Sequence, residues 1–220
     1  LRNILSRGGK LQKLNTSPGV DRFALFMFQK DALLQETIND NFLKFNTKNF
    51  FQKNFFSQKD KSSFEERFMD TDLKSWLADE SLMMTDKMSM ASGLEVRVPL
   101  LDKELIEMAA RIPIQYKISL GKTKIVLKEA FRGKIPNFLF DQPKRGWFSP
   151  AAKWLRRKEL QVKAREILSG SYYNETSSLF NWKNIEKILN DHLAGEKYNL
   201  NILWSILTFQ IWAKAYNVKL

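Results

Sequence analysis

The 220 residues contain no cysteine and a single histidine. Without cysteine there is no disulfide framework, no thiolate zinc site and no cysteine nucleophile within these residues. No apolar run approaches the roughly 18 to 20 residues that cross a bilayer, and Leu1 to Lys10 lacks the apolar centre of a signal peptide. A cytoplasmic protein without a membrane partner is expected. Internal repeats are absent too, and the chain begins at Leu1 rather than at a methionine, which fits a piece of a longer protein.

Acidic residues are the scarcer charge. Lys and Arg number 36 against 24 Asp and Glu, a formal net charge of +12 that favours contact with phosphates. The lysines are dispersed and no recognition motif accompanies them, so no dedicated nucleic-acid binding is expected. With 44% hydrophobic residues the chain has enough apolar side chains for a buried core.

Strand-like alternation is almost missing, and helical spacing dominates. Phe23, Phe26, Met27, Leu33 and Leu34 fit an amphipathic helix over 20–34, with Asp31 as a cap for a second one running towards Phe45. The segment 46–63 reads as loop or short helices. Asp72 is placed to cap a helix that buries Leu73, Trp76 and Leu77, and 82–90 reads as a further helix after a light break near Ser81, with Gly93 ending it. Glu95 to Leu101 is a short extended connection stopped by Pro99, and Asp102 caps a helix running to Arg111. Further helices are expected from Thr123 to Gly133 with Ile125, Leu127 or Val126, and Ala130 inward, over 150–168, over 182–193 closed by Gly195, and over 200–216. In the last, Leu203, Trp204, Leu207, Ile211 and Trp212 are expected in the core, as are Met83, Met84, Met88 and Met90. The fold class of these residues alone is all-α.

Few side chains carry chemistry. Gly121–Lys124 reads GKTK, but a Walker A loop requires glycine five residues before Gly121, and Tyr116 stands there. What remains is a glycine turn opening a helix with Lys122 and Lys124 beside it, a seat for phosphate or pyrophosphate that is equally readable as a solvated lysine pair. Glu95 and Arg97 lie on one face of an extended segment and are expected to pair with each other or with loop groups. His192 has no partner in sequence that would orient it as a general base and reads as structural. No metal site is expected.

Two segments go further. MSMASGLEVRVPLLD, from Met88 to Asp102, followed by GKTKIVLKEAF, from Gly121 to Phe131, resembles the C-terminal part of the asparagine synthetase (glutamine-hydrolysing) family, whose members carry a patch like SMAxxLEVRVPFLD and then a lysine-bearing helix. QPKRGWFSPAAKWL, Gln142 to Leu155, is similar to the family's loop before a W-L helix at Lys144, Gly146, Phe148, Pro150 and Trp154; Gln142 replaces an arginine, and Trp147 adds an aromatic. The DHLAGEKYN segment and the closing helix match as well. The resemblance divides the chain into a weakly matching helical and loop region, 1–69, and a C-terminal part of the synthetase domain, 70–220.

That resemblance implies an α/β adenine-nucleotide domain of the PP-loop ATP pyrophosphatase type, of which these residues are the multi-helix C-terminal portion. Its SGGxDS-type ATP loop does not occur in the sequence. The implied reaction converts aspartate, ATP and ammonia from glutamine to asparagine, AMP and pyrophosphate. Lys124 would be catalytic, stabilising the departing pyrophosphate; Lys122, Lys144 and Arg145 would bind ATP, the last two being equally readable as surface charges, with Mg2+ held mostly elsewhere. Implied partners are an N-terminal glutaminase domain and a second copy in a homodimer, and these residues alone would be inactive. A related amidotransferase with another carboxylate acceptor, or a noncatalytic helical or basic nucleic-acid-binding module, is the alternative.

Overall fold

The computed structural model describes residues 19–27, 31–43, 46–56, 62–119, 121–142 and 150–219. Helices α1 (Gly19–Met27) and α2 (Asp31–Thr37) are followed by a 3-10 turn, Asp40–Phe42, and by α3 (Thr47–Asn54). Helix α4 (Phe64–Asp72) continues through a π-helical stretch, Leu73–Leu82, into α5 (Met83–Met90). Beyond a 3-10 turn at Pro99–Leu101 come α6 (Lys103–Arg111), α7 (Ile114–Lys117), strands β1 (Ile118–Ser119) and β2 (Lys122–Thr123), and α8 (Ile125–Ala130). The chain closes with α9 (Ala151–Leu155), α10 (Lys158–Ile167), α11 (Trp182–Leu193) and α12 (Leu200–Ala215). The described residues are thus mostly helical, with one two-stranded antiparallel hairpin. They form two units, Leu1–Phe50 with Gly146–Leu220, and Phe51–Arg145.

The first unit owns a core. Leu168, Phe180, Ile185, Ile188, Leu189, Ile202, Leu203 and Ile206 pack together, and Leu33, Leu34 and Ile38 of the α2 region close one side. Helix α11 places its apolar residues at three- and four-residue intervals, so one face meets α12 while Lys183 and Lys187 stay out. Backbone bonds tie the distant α2 end to this core: Asn181 N–H donates to Thr37 O at 2.9 Å and Asn39 N–H to Leu179 O at 3.0 Å. Helix α12 is apolar on nearly every side, yet only one stripe can face α11. Leu203 is therefore fully buried and Leu207 partly so, whereas Trp204, Ile211 and Trp212, expected in the core, are 41%, 42% and 47% exposed. The expected helix over 150–168 is two helices, parted at Arg156 and Arg157.

The second unit is differently built. Among its described residues Phe56 is the one buried apolar side chain. Its long helix starts nine residues before the expected Asp72 cap, at a capping box: Ser63 Oγ accepts from Glu66 N–H, and a Glu66 carboxylate oxygen accepts from Ser63 N–H at 2.9 Å. Asp72 lies inside the continuous helix with right-handed backbone angles and caps nothing. Leu73 and Trp76 are exposed, Leu77 is half-buried, and no break occurs at Ser81. Met83, Met84, Met88 and Met90 are likewise exposed, Met88 by 61%. Gly93, at φ +68°, ends the turn after α5, and Asp102 Oδ1 accepts from Glu104 and Leu105 N–H to start α6, both as expected.

Candidate functional site

The candidate phosphate seat lies in the second unit, where β1 and β2 pair Ile118 with Thr123 and Ser119 with Lys122. The return passes through Gly121 at φ +72°, a left-handed conformation that suits glycine, although the space around its Cα is open. Lys124 then takes φ 57°, ψ 38° as the residue before α8, and its carbonyl accepts from Lys128 N–H at 2.9 Å. Left-handed backbone costs a non-glycine residue about 1–2 kcal/mol, and such outliers concentrate at functional positions.

Helix α8 is six residues long and starts at Ile125, later than expected, so its dipole is small and the positive charge of the site comes from side chains. Of the residues expected to point inward, Ile125 is half-buried while Val126, Leu127 and Ala130 are exposed. Lys122 and Lys124 are both exposed, and among the described residues neither forms an ion pair or a side-chain hydrogen bond. Their neighbours are engaged. Arg132 grips Glu129 through two bonds of 2.8 and 2.7 Å, and its guanidinium lies 5.8 Å from the centre of the Phe140 ring. Lys128 Nζ donates to Phe140 O at 3.3 Å. The Arg132 bond pulls the Glu129 carboxyl below its usual range, and the charge of Lys122 contributes to the lowering.

The structure thus brings Lys122 and Lys124 to one hairpin–helix junction. The other two expected ATP-binding residues, Lys144 and Arg145, lie outside the described residues. Glu95 and Arg97 pair with each other, as expected, but on the surface rather than partly buried: their side chains are 67% and 83% exposed. The Glu129–Arg132 pair was overlooked in sequence, although its three-residue spacing on a helix is a readable signal. Among the described residues no three His, Asp or Glu side chains come together to hold a metal ion.

Beside the seat runs a cavity of about 580 Å³, lined by Arg67 and Leu73 of the long helix, Ile106 of α6, Ile112, Lys117 and, from α8, Val126. His192 is elsewhere, in the first unit. It is fully buried, its Nδ1 accepts from Asn199 N–H at 3.2 Å, and it is a packing residue, as expected.

Comparison with known proteins decides the family. The Asparagine synthase family model matches residues 8–214. The chain belongs to the asparagine synthase family. It is 29% identical over 210 residues to asparagine synthetase (glutamine-hydrolyzing) 1 of Bacillus subtilis (strain 168), covering 94% of this chain and 32% of that protein. Over 62 residues it is 37% identical to asparagine synthetase (glutamine-hydrolyzing) 3 of the same organism, covering 28% of this chain and 10% of that protein. The chain therefore spans a third or less of the length of these relatives. No solved structure matches it. The asparagine synthase match begins well upstream of Met88, where the quoted motifs start. Among the described residues no helix is long and apolar enough to cross a membrane.

Proposed function

We propose that this chain, over residues 70–220 above all, is the C-terminal part of the synthetase domain of a glutamine-dependent asparagine synthetase. The single observation carrying the reading is Lys124, held in a left-handed conformation beside Lys122 at a hairpin–helix junction, inside the family match. In the proposed reaction an aspartate side-chain carboxylate oxygen attacks the α-phosphorus of ATP. The bond to the β-phosphate breaks, and pyrophosphate leaves with the electron pair. Ammonia then attacks the acyl carbon, AMP departs, and loss of a proton gives asparagine.

The step these residues serve is the first. Negative charge grows on the pyrophosphate as it departs, and an ammonium placed beforehand, here Lys124 Nζ, lowers the barrier by donating to its oxygens. Lys122, Lys144 and Arg145 would bind the triphosphate before the step, in a fold of the PP-loop pyrophosphatase type. Ammonia would come from an N-terminal glutaminase domain of the whole protein, working in the cytoplasm as a homodimer. By itself the 220-residue chain would form no asparagine. A relative acting on another carboxylate keeps the same role for Lys124.

Titration of pyrophosphate into this chain and into Lys124→Ala tests the reading. Saturable binding that is lost in the variant supports it. Undiminished binding by the variant sinks it. Salt-sensitive, sequence-independent affinity for DNA, which the net charge of +12 would favour, supports a basic binding module instead.

A further inference from the structure

In the first unit, α2, α11 and the connection that follows α11 enclose a second cavity, of about 160 Å³. Hydrogen bonds fasten its walls to one another. Asn184 Nδ2 of α11 donates to Glu36 O of α2 at 2.9 Å, Asn181 N–H donates to Thr37 O at 2.9 Å, and Asn199 Nδ2 donates to Ile188 O at 3.2 Å. The cavity is therefore held open by the fold, which spares a ligand the cost of ordering it. Leu33 and Ile188 are its apolar lining, and every other lining side chain is charged or an amide.

Four of those side chains carry charge, two of each sign, and only two are paired. Lys197 Nζ donates to Asp191 Oδ2 at 2.9 Å. That bond raises the Lys197 pKa above its ordinary value, and the charge of Glu36 adds to the rise. Glu36 on α2 and Lys187 on α11 line the same cavity, yet among the described residues neither forms an ion pair, with the other or with the Asp191–Lys197 pair. A phosphate placed here would meet two carboxylates, and a metal ion two ammonium groups. A molecule that is itself ammonium at one end and carboxylate at the other meets neither penalty. At about 30 Å³ for each water, the volume is that of about five waters, well below the roughly 300 Å³ at which drug-sized ligand sites begin.

The geometry points to a binding site for a free α-amino acid with a small uncharged side chain, its carboxylate on Lys187, its ammonium on Glu36 and its side chain against Leu33 and Ile188. Exposed ion pairs contribute little one at a time, so the site is weak and draws its selectivity from engaging both charges at once. None of its residues belongs to the phosphate seat, and the inference stands apart from the role proposed for Lys124.

Titration of alanine and of asparagine into the isotope-labelled chain, followed through its amide resonances, tests it. Saturable shifts are expected at Asn184, Lys187 and Asn199, with dissociation constants on the order of millimolar. Acetate and methylammonium, which bring one charge each, are expected to bind about three- to fivefold more weakly, the worth of one exposed pair, and phenylalanine to be shut out by its size. Glu36→Gln and Lys187→Gln change exposed side chains, so resonances of the core residues Ile202, Leu203 and Ile206 should stay in place. Each variant is expected to weaken alanine by the same three- to fivefold, and the double variant to show no saturation. Absence of a saturable shift with either amino acid overturns the inference. Unweakened binding by the double variant does so too, as does acetate binding as tightly as alanine, which would make the cavity a general anion site. Lys124→Ala is the separate control: amino-acid binding is expected to be unchanged there, so its loss of pyrophosphate bears on the proposed function alone.

Discussion

The backbone N–H of Asn199 donates to Nδ1 of the fully buried His192 at 3.2 Å, joining the end of α11 to the start of α12. An imidazole that accepts a bond at Nδ1 must be neutral, with its one ring proton on Nε2. Burial pushes its pKa below the ordinary 6.5, and the nearby Arg156 guanidinium pushes the same way, against smaller opposing backbone contributions from Ala152 and Lys197.

Stability of the first unit should therefore fall with acid. A folded pKa below the unfolded one means that the unfolded chain binds the proton first. The loss begins as pH drops through about 6.5 and continues to the lower folded pKa, while above pH 6.5 the histidine contributes no dependence. Urea midpoints by far-UV circular dichroism between pH 7.5 and 5 would follow this, and His192→Gln should flatten the dependence that remains after the carboxylates are accounted for.

Gly170→Ala should destabilise the same unit by about 1–3 kcal/mol, the usual cost of overpacking. A Cβ at Gly170 would stand 2.9 Å from Trp182 Cδ1 and 3.0 Å from its Nε1. The indole is poorly placed to retreat: Nε1 donates to Ser177 O at 2.8 Å, and Phe180 meets the ring edge-on at 5.1 Å. A lowered urea midpoint with unchanged slope is the expected result.

Asp102→Ala should cost α6 about 1 kcal/mol, the typical value of a lost N-cap. Oδ1 of Asp102 serves the N–H groups of both Glu104 and Leu105, at 3.0 and 3.3 Å. Exchange of those two amides should accelerate, and Asp102→Asn should recover most of the protection.

Much of this was legible residue by residue. Asp102, Gly93 and Gly195 act where local rules put them, because caps and left-handed glycines depend on a few neighbouring atoms. The capping box of Ser63 and Glu66 was equally readable and was passed over for Asp72, which a helix already under way absorbs. Burial was the poorer guide. Trp204, Trp212 and the methionines from Met83 to Met90 have core composition, but composition says only that a side chain prefers cover, and cover depends on what other segments bring. GKTK signalled a glycine turn, and Gly121 makes one, while the left-handed state of Lys124 has no signature in sequence, since lysine ordinarily avoids it.

That backbone state separates two effects that alanine confounds. Lys124→Gly removes the ammonium but relieves a conformation that costs lysine about 1–2 kcal/mol, so the hairpin–helix junction should hold at least as well, offset in part by glycine's greater freedom when unfolded. Lys124→Ala loses the charge and keeps the backbone cost. If Lys124 serves pyrophosphate through its charge, both variants lose binding alike although their amide exchange over α8 differs. If the lysine only shapes the turn, Lys124→Gly binds as the unaltered chain does, and the catalytic role falls.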